Sequence, residues 1–334
     1  MRIPPNLVSG DKVALVAPSF GCTTEPYLTR LDVAIASWRK KGHSVVEGKN
    51  VRLAEGLAAS ASGKERAEEF MEAYASDAKL ILSVGGGETM CEMLPYLDFA
   101  RLAKLPPKWF MGFSDNTNLT FPLTTLCDVA TIYGPCMPSF YQKKWRLSEL
   151  DAYRMLQGEN HFEGYPKWSI SRRNEEHPLW GYRLSQPKII TPYHYKGPMK
   201  GLFLGGCLDC LVNLCGTKYD NVREFAARHS EGIIWYLEAC DLNALSLRRA
   251  FFELKEAGWF DNAKGFLLGR MLSAREEILG ADRFNAAIDI LGPLGKPILM
   301  DVDLGHLSPS MPILNGVKGT AKLEEGNIII DYDR

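Results

Sequence analysis

The order of apolar and polar positions divides the first half of the chain into strand-like and helix-like segments. Continuous apolar runs at residues 12–17, 80–84 and 109–113 predict buried strands. Between them, residues 26–41 carry apolar side chains at helical spacing, and residues 63–76 form a charged amphipathic pattern. This β-α-β-α order indicates a parallel sheet with helices on both faces.

The same alternation returns after residue 196, whereas the stretch before it is irregular and rich in aromatic residues. We therefore predict an N-terminal domain over 1–150, an inter-domain loop over 151–195 and a C-terminal domain over 196–334. Long loops of this kind are often functional, and whether residues 159–195 close over a substrate stays open. The C-terminal pattern predicts strands at 202–204, 233–237, 266–268, 298–302 and within 319–332, and helices at 207–214 and 244–257.

Composition changes this prediction little but excludes several classes of protein. The chain has 334 residues, 46 % of them hydrophobic, and a net charge of −1, so no overall positive charge draws it to nucleic acid or to an anionic membrane. No run of about 18 apolar residues and no signal peptide are apparent. The eight cysteines are scattered, mostly in apolar segments, which favours reduced thiols and a cytoplasmic protein without a membrane or nucleic-acid partner.

A serine lies where the apolar run at 109–113 gives way to a helix start. In Gly112-Phe113-Ser114-Asp115-Asn116-Thr117, the hydroxyl of Ser114 would project from the carboxyl edge of the sheet, where open α/β sheets bind ligands. The helix N-terminus that follows offers free N–H groups for an oxyanion. The G-x-S-x-G pattern of α/β hydrolases is absent. A helix-capping role for Ser114 or Asp115 is the alternative interpretation.

A nucleophilic serine needs a base that is held by a third group. His306 follows the apolar run at 298–302 closely enough to reach such a site, although it could also be an ordinary loop histidine. Glu238 ends the apolar run at 233–237, where an unpaired carboxylate would be costly. Asp241 is the competing acid, and it also suits the N-cap of the next helix.

Five segments together resemble the LD-carboxypeptidase family of serine peptidases, which includes a microcin C immunity branch. They are Gly85-Gly86-Gly87, Gly112-Phe113-Ser114-Asp115-Asn116-Thr117, Leu202-Phe203-Leu204-Gly205-Gly206-Cys207, Trp235-Tyr236-Leu237-Glu238 and Leu304-Gly305-His306. The resemblance covers nearly the whole chain. It implies an α/β fold in which an N-terminal parallel-sheet domain and a smaller, β-rich C-terminal domain enclose the active site.

The resemblance also implies site residues and an assembly. The catalytic triad would be Ser114, Glu238 and His306, and the oxyanion hole would use backbone N–H groups of Asp115 and of the glycine loop, at Gly87 or else Gly86. The family commonly forms homodimers. We therefore expect a serine-type carboxypeptidase or amidase that needs no cofactor.

The substrate-binding candidates and the choice of substrate are less specific. Gly86 and Glu88 flank the expected oxyanion donor, Trp180 could stack on a base or pack at the domain interface, and Arg270 could bind a terminal carboxylate or be solvated. The motif favours cleavage of the amide between an amino acid and a nucleotide-like or peptidyl group. Trimming of murein tetrapeptides is the alternative, and a non-catalytic ligand-binding homologue is the alternative of another class.

A metal site is not predicted. Cys207-x-x-Cys210 with Cys215 nearby suggests zinc, but no second C-x-x-C and no histidine pair accompanies them.

Overall fold

The computed structural model describes residues 1–170 and 177–334, and most of the strands among them belong to two large sheets. The first sheet has six strands in the order β14-β5-β4-β3-β1-β2, parallel except for β14. These strands are β1 Lys12–Val16, β2 Ser44–Glu47, β3 Leu80–Ser83, β4 Trp109–Gly112, β5 Thr131–Tyr133 and β14 Ile313–Asn315.

Helices cover this sheet as the hydrophobic pattern predicts. On the first helix, Leu31, Ile35 and Trp38 are buried on one face. The second helix begins at a capping box in which Ser62 accepts from the Glu65 N–H and Glu65 reaches back to Ser62. The helices of this half are α1 Tyr27–Lys40, α2 Gly63–Ala75, α3 Phe99–Leu102, α4 Thr117–Cys127 and α5 Leu147–Leu156, with 3-10 turns at Met90–Tyr96, Ser114–Asn116 and Met137–Tyr141.

The second sheet has eight strands in the order β6-β16-β15-β10-β11-β12-β13-β9. Its centre, β10 to β13, is parallel, and the strands on either side run antiparallel to it. The strands are β6 His161–Glu163, β9 Thr191–Tyr193, β10 Met199–Cys207, β11 Ile233–Glu238, β12 Ala263–Gly269, β13 Ile298–Val302, β15 Lys318–Glu324 and β16 Asn327–Tyr332.

The second half also carries four helices among the described residues. They are α6 Leu208–Leu214, α7 Val222–Arg228, α8 Ala244–Glu256 and α9 Arg283–Leu291, with 3-10 turns at Ser273–Arg275 and Gly292–Leu294. Two further short strands, β7 Lys167–Trp168 and β8 Gln186–Pro187, pair with each other. Within the described residues, no helix is long and apolar enough to cross a membrane.

Helix α4 lies between the two sheets and joins them into one body. It contacts β4 and β5 on one side and β10 on the other, and all its residues except Leu126 are buried. Phe121 stacks on Trp259, with ring centroids 5.1 Å apart. Because a helix that is buried on nearly every side belongs to a core, α4 fixes the residues at its N-terminus against the second sheet.

The segment predicted as an inter-domain loop over 151–195 contains short regular elements. It begins inside α5 and contains four short strands, of which β6 and β9 form the two edges of the second sheet. Strand β14 also crosses from the C-terminal half to pair with β5. Both halves therefore complete each other's sheets, and the boundaries proposed from sequence stay a prediction.

Candidate active site

Three side chains from distant parts of the chain form one line of hydrogen bonds. Ser114 Oγ lies 2.8 Å from His306 Nε2, and His306 Nδ1 lies 2.8 Å from Glu238 Oε2. With the imidazole neutral and its proton on Nδ1, the serine hydroxyl donates to Nε2 and Nδ1–H donates to the carboxylate. This is the order in which a base withdraws a proton from a serine and an acid orients that base.

The carboxyl ends of parallel strands from both sheets bring these residues together. Ser114 follows β4, Glu238 is the last residue of β11, and His306 follows β13 in a loop. Ser114 has a φ of 63°, which a non-glycine residue rarely adopts and which costs about 1–3 kcal/mol. Such strain on a strand-to-helix turn projects the hydroxyl out of the sheet edge.

Glu238 is completely buried, and both its oxygens have partners. Oε2 accepts from His306, while Oε1 accepts from the hydroxyl of Tyr133, the last residue of β5. That same hydroxyl accepts the Ser114 N–H at 2.9 Å. A Cβ at Gly305, whose φ is 96°, would lie 2.5 Å from Oε2. Tyr133 thus links the turn at Ser114 to Glu238, and Gly305 leaves space for the Glu238 carboxylate.

The electrostatics favour a charged imidazole. Burial by itself lowers the pKa of His306, but the charge of the adjacent Glu238 carboxylate and the hydrogen bonds of His306 with Cys240 and Glu238 outweigh it and raise the pKa to about 10. Burial and the same carboxylate hold the pKa of Tyr133 well above its usual value, so Tyr133 stays a hydrogen-bond donor to Glu238. An imidazolium formed by proton transfer from Ser114 would therefore be stabilised where it forms.

Two backbone N–H groups beside Ser114 are available for an oxyanion. Those of Gly87 and Asp115 donate no hydrogen bond to another described residue. Gly87 has a φ of 155°, and a Cβ there would lie 2.2 Å from Ser19 Oγ. Gly86 is the glycine that approaches Ser114, since a Cβ there would lie 3.2 Å from that of Ser114. The two glycines therefore allow the loop to pass close to Ser114 at Gly86 and close to Ser19 at Gly87.

The buried Asp115 carboxylate fastens this loop to the nucleophile turn. It accepts hydrogen bonds from Ser19 Oγ, from the Met90 N–H at 2.9 Å and from Asn118 Nδ2 at 2.9 Å. On the other side, Asn116 Nδ2 donates to Gly85 O at 3.0 Å. The glycine turn and the serine turn are thus held at a fixed separation by side chains from the serine turn itself.

Arg270, a candidate for binding a substrate carboxylate, lies elsewhere. It is 4 % exposed, and its guanidinium donates to Asp303 Oδ1 at 2.6 Å, Pro309 O at 3.0 Å and Leu307 O at 3.3 Å. It does not line the cleft at Ser114. The expectation of a carboxylate-binding arginine is corrected: the side chain is occupied by the loop of residues 303–311 that carries His306.

The cleft beside Ser114 is narrow and polar. Its lining comprises Gly87, Glu88, Cys91, Ser114, Asp115, Asn118, Cys207, Asp209, Cys210, Asn213, Cys240 and Asp241. Glu88, a substrate-binding candidate, therefore lies in the cleft. Cys207 and Cys210 are buried free thiols, and no group of three metal-ligating side chains occurs among the residues that the structure describes.

Trp180 is 61 % exposed and outside this lining. Its ring stacks on that of His177 at a centroid distance of 3.8 Å, and its carbonyl accepts from Tyr141 and Arg30. The indole is therefore neither packed in the interface between the domains nor part of the cleft at Ser114. Residues 171–176 of the segment considered as a lid lie outside the described residues.

Sequence reasoning missed two parts of the site. Tyr133 ends a three-residue strand whose only signal is its place before Gly134, and the link to Glu238 spans 105 positions. Asp209 accepts the N–H groups of Cys240, Asp241 and Leu242, which shapes the turn after Glu238. Its signal was a carboxylate in the first turn of a short apolar helix.

Comparison with known proteins fits this arrangement. Residues 13–134 match the model of the LD-carboxypeptidase N-terminal domain, and residues 200–321 match that of the LD-carboxypeptidase C-terminal domain. The chain belongs to the LD-carboxypeptidase family. It is therefore a peptidase, as the sequence resemblance predicted, and the two matched regions contain Ser114 in one and Glu238 and His306 in the other.

Relatives within this family have two kinds of name. The Microcin C7 self-immunity protein MccF of Escherichia coli is 25 % identical over 97 % of this chain and 94 % of its own length. The probable murein peptide carboxypeptidase of Bacillus subtilis is 24 % identical over 98 % of this chain and 94 % of its own length.

Solved structures show the same two-domain fold. MccF in complex with glutamyl sulfamoyl guanosine superimposes with a TM-score of 0.83 at 23 % identity, covering 99 % of this chain and 98 % of that one. An MccF-like protein from Bacillus anthracis gives 0.84 at 21 % identity over the whole of both chains. The predicted mixed α/β fold is confirmed.

Proposed function

We propose that this LD-carboxypeptidase family member is a serine amidase with Ser114 as nucleophile, His306 as general base and Glu238 as the acid that orients His306. The supporting observation is the unbroken line of two 2.8 Å contacts from Ser114 through His306 to the buried Glu238. His306 takes the Ser114 proton as Oγ attacks the amide carbonyl, then gives it to the leaving amine. Water releases the acyl-enzyme by the same steps in reverse.

The N–H groups of Gly87 and Asp115 receive the negative charge that forms on the carbonyl oxygen. The supporting observations are that both N–H groups donate no hydrogen bond to another described residue and that both residues line the cleft with Ser114, with Gly86 next to that serine. One such donor typically lowers the barrier by about 3–4 kcal/mol. Tyr133 keeps the Ser114 N–H occupied, so that group is not a third donor.

The substrate is an amide between an amino acid and a nucleotide-like or peptidyl group. The names of the microcin immunity relatives and the aminoacyl sulfamoyl nucleoside in a related structure support this choice. Trp180, exposed on the segment before the second sheet, would stack on the base of such a substrate. Murein tetrapeptide is the second candidate, supported by the relative named as a murein peptide carboxypeptidase.

We also propose a cellular compartment and an assembly for the enzyme. All eight cysteines are free thiols, most of them buried, which supports a reducing compartment such as the cytoplasm. A homodimer is proposed from the family resemblance alone. Sedimentation of the purified protein would give its mass directly, and a mass of one chain at micromolar concentration would contradict the dimer.

Turnover of two substrates tests the function. Purified protein is incubated with an aminoacyl sulfamoyl adenosine and, separately, with a murein tetrapeptide, and the released groups are identified by mass spectrometry. We expect release from the nucleoside analogue that disappears in Ser114→Ala and persists in Ser230→Ala, an exposed serine outside the cleft. D-alanine release alone would establish the second candidate. Release undiminished in Ser114→Ala would contradict the proposed nucleophile.

A further inference from the structure

The wall of the cleft beside Ser114 has an unusual balance of charge. Four of its lining residues are carboxylates, namely Glu88, Asp115, Asp209 and Asp241, and none is lysine or arginine. A cleft whose ligand carried a carboxylate near the scissile bond would need a cationic side chain there. The only arginine suggested for that purpose, Arg270, is buried against Asp303.

The four carboxylates are not equivalent. Asp115 is occupied by Ser19, Met90 and Asn118, and Asp209 accepts three backbone N–H groups and the Cys207 thiol. These two shape the site. Glu88 and Asp241 are exposed and have no side-chain hydrogen bond or ion pair within the part of the chain that the structure describes. Because both residues line the cleft, their charges act on whatever occupies it.

A side-chain amide oxygen of a residue that lines the same cleft also lacks a hydrogen-bond partner among the described residues. Asn118 is 2 % exposed and lines the cleft, and its Nδ2 donates to the Asp115 main-chain and side-chain oxygens. Its Oδ1 is buried and accepts no hydrogen bond from any described residue. Leaving such an acceptor unsatisfied costs about 1–3 kcal/mol, so a ligand that supplies an N–H donor gains from it.

The mutual repulsion of the carboxylates also favours a positively charged ligand. Partial burial, and after it the charges of Asp241, Asp115 and Asp209, raise the pKa of Glu88 above its usual value. A positive group between these side chains would relieve the repulsion, and a negative group would add to it.

We infer that Glu88 and Asp241 are specificity residues for a substrate whose acyl group carries a free ammonium close to the scissile amide. The inference rests on the proposed function, because it concerns the occupant of the cleft at Ser114. The ammonium has two possible sources, the α-amino group of an aminoacyl substrate or the end of a basic side chain. An acyl group with an acidic side chain is disfavoured by the same two carboxylates.

A set of matched sulfamoyl adenosines separates the two sources. The acyl groups are lysyl, norleucyl, Nα-acetyl-lysyl, Nα-acetyl-norleucyl and glutamyl, compared by kcat/KM. We expect the neutral Nα-acetyl-norleucyl compound to be cleaved at least roughly tenfold less efficiently than whichever compounds present the required ammonium. If kcat/KM falls only on acetylation, the α-amino group is the required ammonium. If kcat/KM falls when lysyl is replaced by norleucyl, the required ammonium is that of the side chain. Equal kcat/KM for all five would overturn the inference.

Isosteric neutral variants tie the preference to the two carboxylates. In Glu88→Gln, Asp241→Asn and the double variant, the advantage of the ammonium-bearing compound should narrow stepwise, mainly through KM. Glu325→Gln removes one exposed charge at the turn between β15 and β16 and should leave the preference intact. A preference unchanged in the double variant would overturn the assignment of these residues.

These outcomes are distinguishable from failure of the proposed function. If all five compounds are cleaved equally and Ser114→Ala abolishes cleavage, the amidase proposal stands and the ammonium inference fails. If Ser114→Ala cleaves them as well as the wild type, the nucleophile proposal fails first. In 1 M salt, the preference should also shrink, since exposed charges are screened over about 3 Å at that concentration.

Discussion

The two halves of the active site are built in different ways. The nucleophile half, from the glycine turn to α4, is held by short contacts between neighbouring turns, with Asp115 and Asn116 bonded to backbone groups next to Ser114. The base half, residues 303–311 with His306, has little regular structure and depends on the buried Arg270–Asp303 pair. The turn at Ser114 is thus held by side chains of that turn itself, whereas the loop that carries His306 is held by a charged side chain from outside the loop, Arg270.

The largest effect is expected where the two halves meet. Glu238→Gln should lower kcat by about 10⁴-fold, as when a triad acid becomes an amide and the wrong imidazole tautomer is favoured. It should also move the acid limb of kcat/KM to lower pH. The acid limb exists because a protonated imidazole accepts no proton. In the wild type it is displaced above 6.5, toward the His306 pKa of about 10. Removing the Glu238 charge lowers that pKa. An unchanged limb would contradict the pairing.

The base half is tested by its arginine. Arg270→Met removes the 2.6 Å ion pair of the buried Asp303 and leaves Lys188, at 3.6 Å, as its cationic partner. The loss should lower the free energy of unfolding by about 3 kcal/mol. If Arg270 also positions His306, the acid limb of kcat/KM should fall toward 6.5, an effect that lost stability alone would not produce. The control is Arg248→Met, which breaks the exposed pair with Asp289 and should cost at most about 1 kcal/mol. Comparable losses of unfolding free energy in Arg270→Met and Arg248→Met would contradict the dependence of the base half on the Arg270–Asp303 pair.

The nucleophile half is tested at its glycine turn. Gly87→Ala adds a Cβ that meets Ser19 Oγ, and it places alanine at a φ that alanine rarely adopts. The Gly87 N–H that is proposed to bind the oxyanion must therefore shift. We expect kcat to fall by about 10²–10³-fold with KM nearly unchanged, because the lost interaction forms only in the transition state. Gly197→Ala, with a φ of 157° against 155° at Gly87 and open space around its Cβ, is the control for backbone strain alone. A rise in KM with unchanged kcat would place Gly87 in ground-state binding instead.

The smallest of these effects concerns the link between the halves. Tyr133→Phe removes one hydroxyl that bonds both the Ser114 N–H and Glu238, and a hydrogen bond to a charged group contributes about 1.5–3 kcal/mol. We expect roughly a tenfold loss of kcat and an acid limb displaced upward, since Glu238 becomes a stronger partner for His306. Tyr74→Phe, whose buried hydroxyl has no partner among the described residues, is a matched control that should retain activity.

Elements that depend on neighbouring residues could be predicted from the sequence, whereas elements that depend on distant partners could not. Strands β1, β3, β4, β11 and β13 follow from their continuous apolar runs, and the turn at Ser114 follows from a strand end before a helix start. The edge strands β6, β9 and β14 are three residues long, and only pairing with a distant sheet makes them strands. Arg270 was misjudged for the same reason, because its partner Asp303 lies 33 positions away.

Labelling with a fluorophosphonate tests the central claim most directly. Intact wild-type protein should take up one phosphonyl group, and peptide mass spectrometry should place it on Ser114. In His306→Ala, confirmed as folded by circular dichroism, the labelling rate should fall by at least about 10³-fold, because the nucleophile has lost its base. In Ser230→Ala, the rate should be that of the wild type. An adduct on another residue, or labelling of Ser114 that proceeds as fast without His306, would contradict the proposed triad.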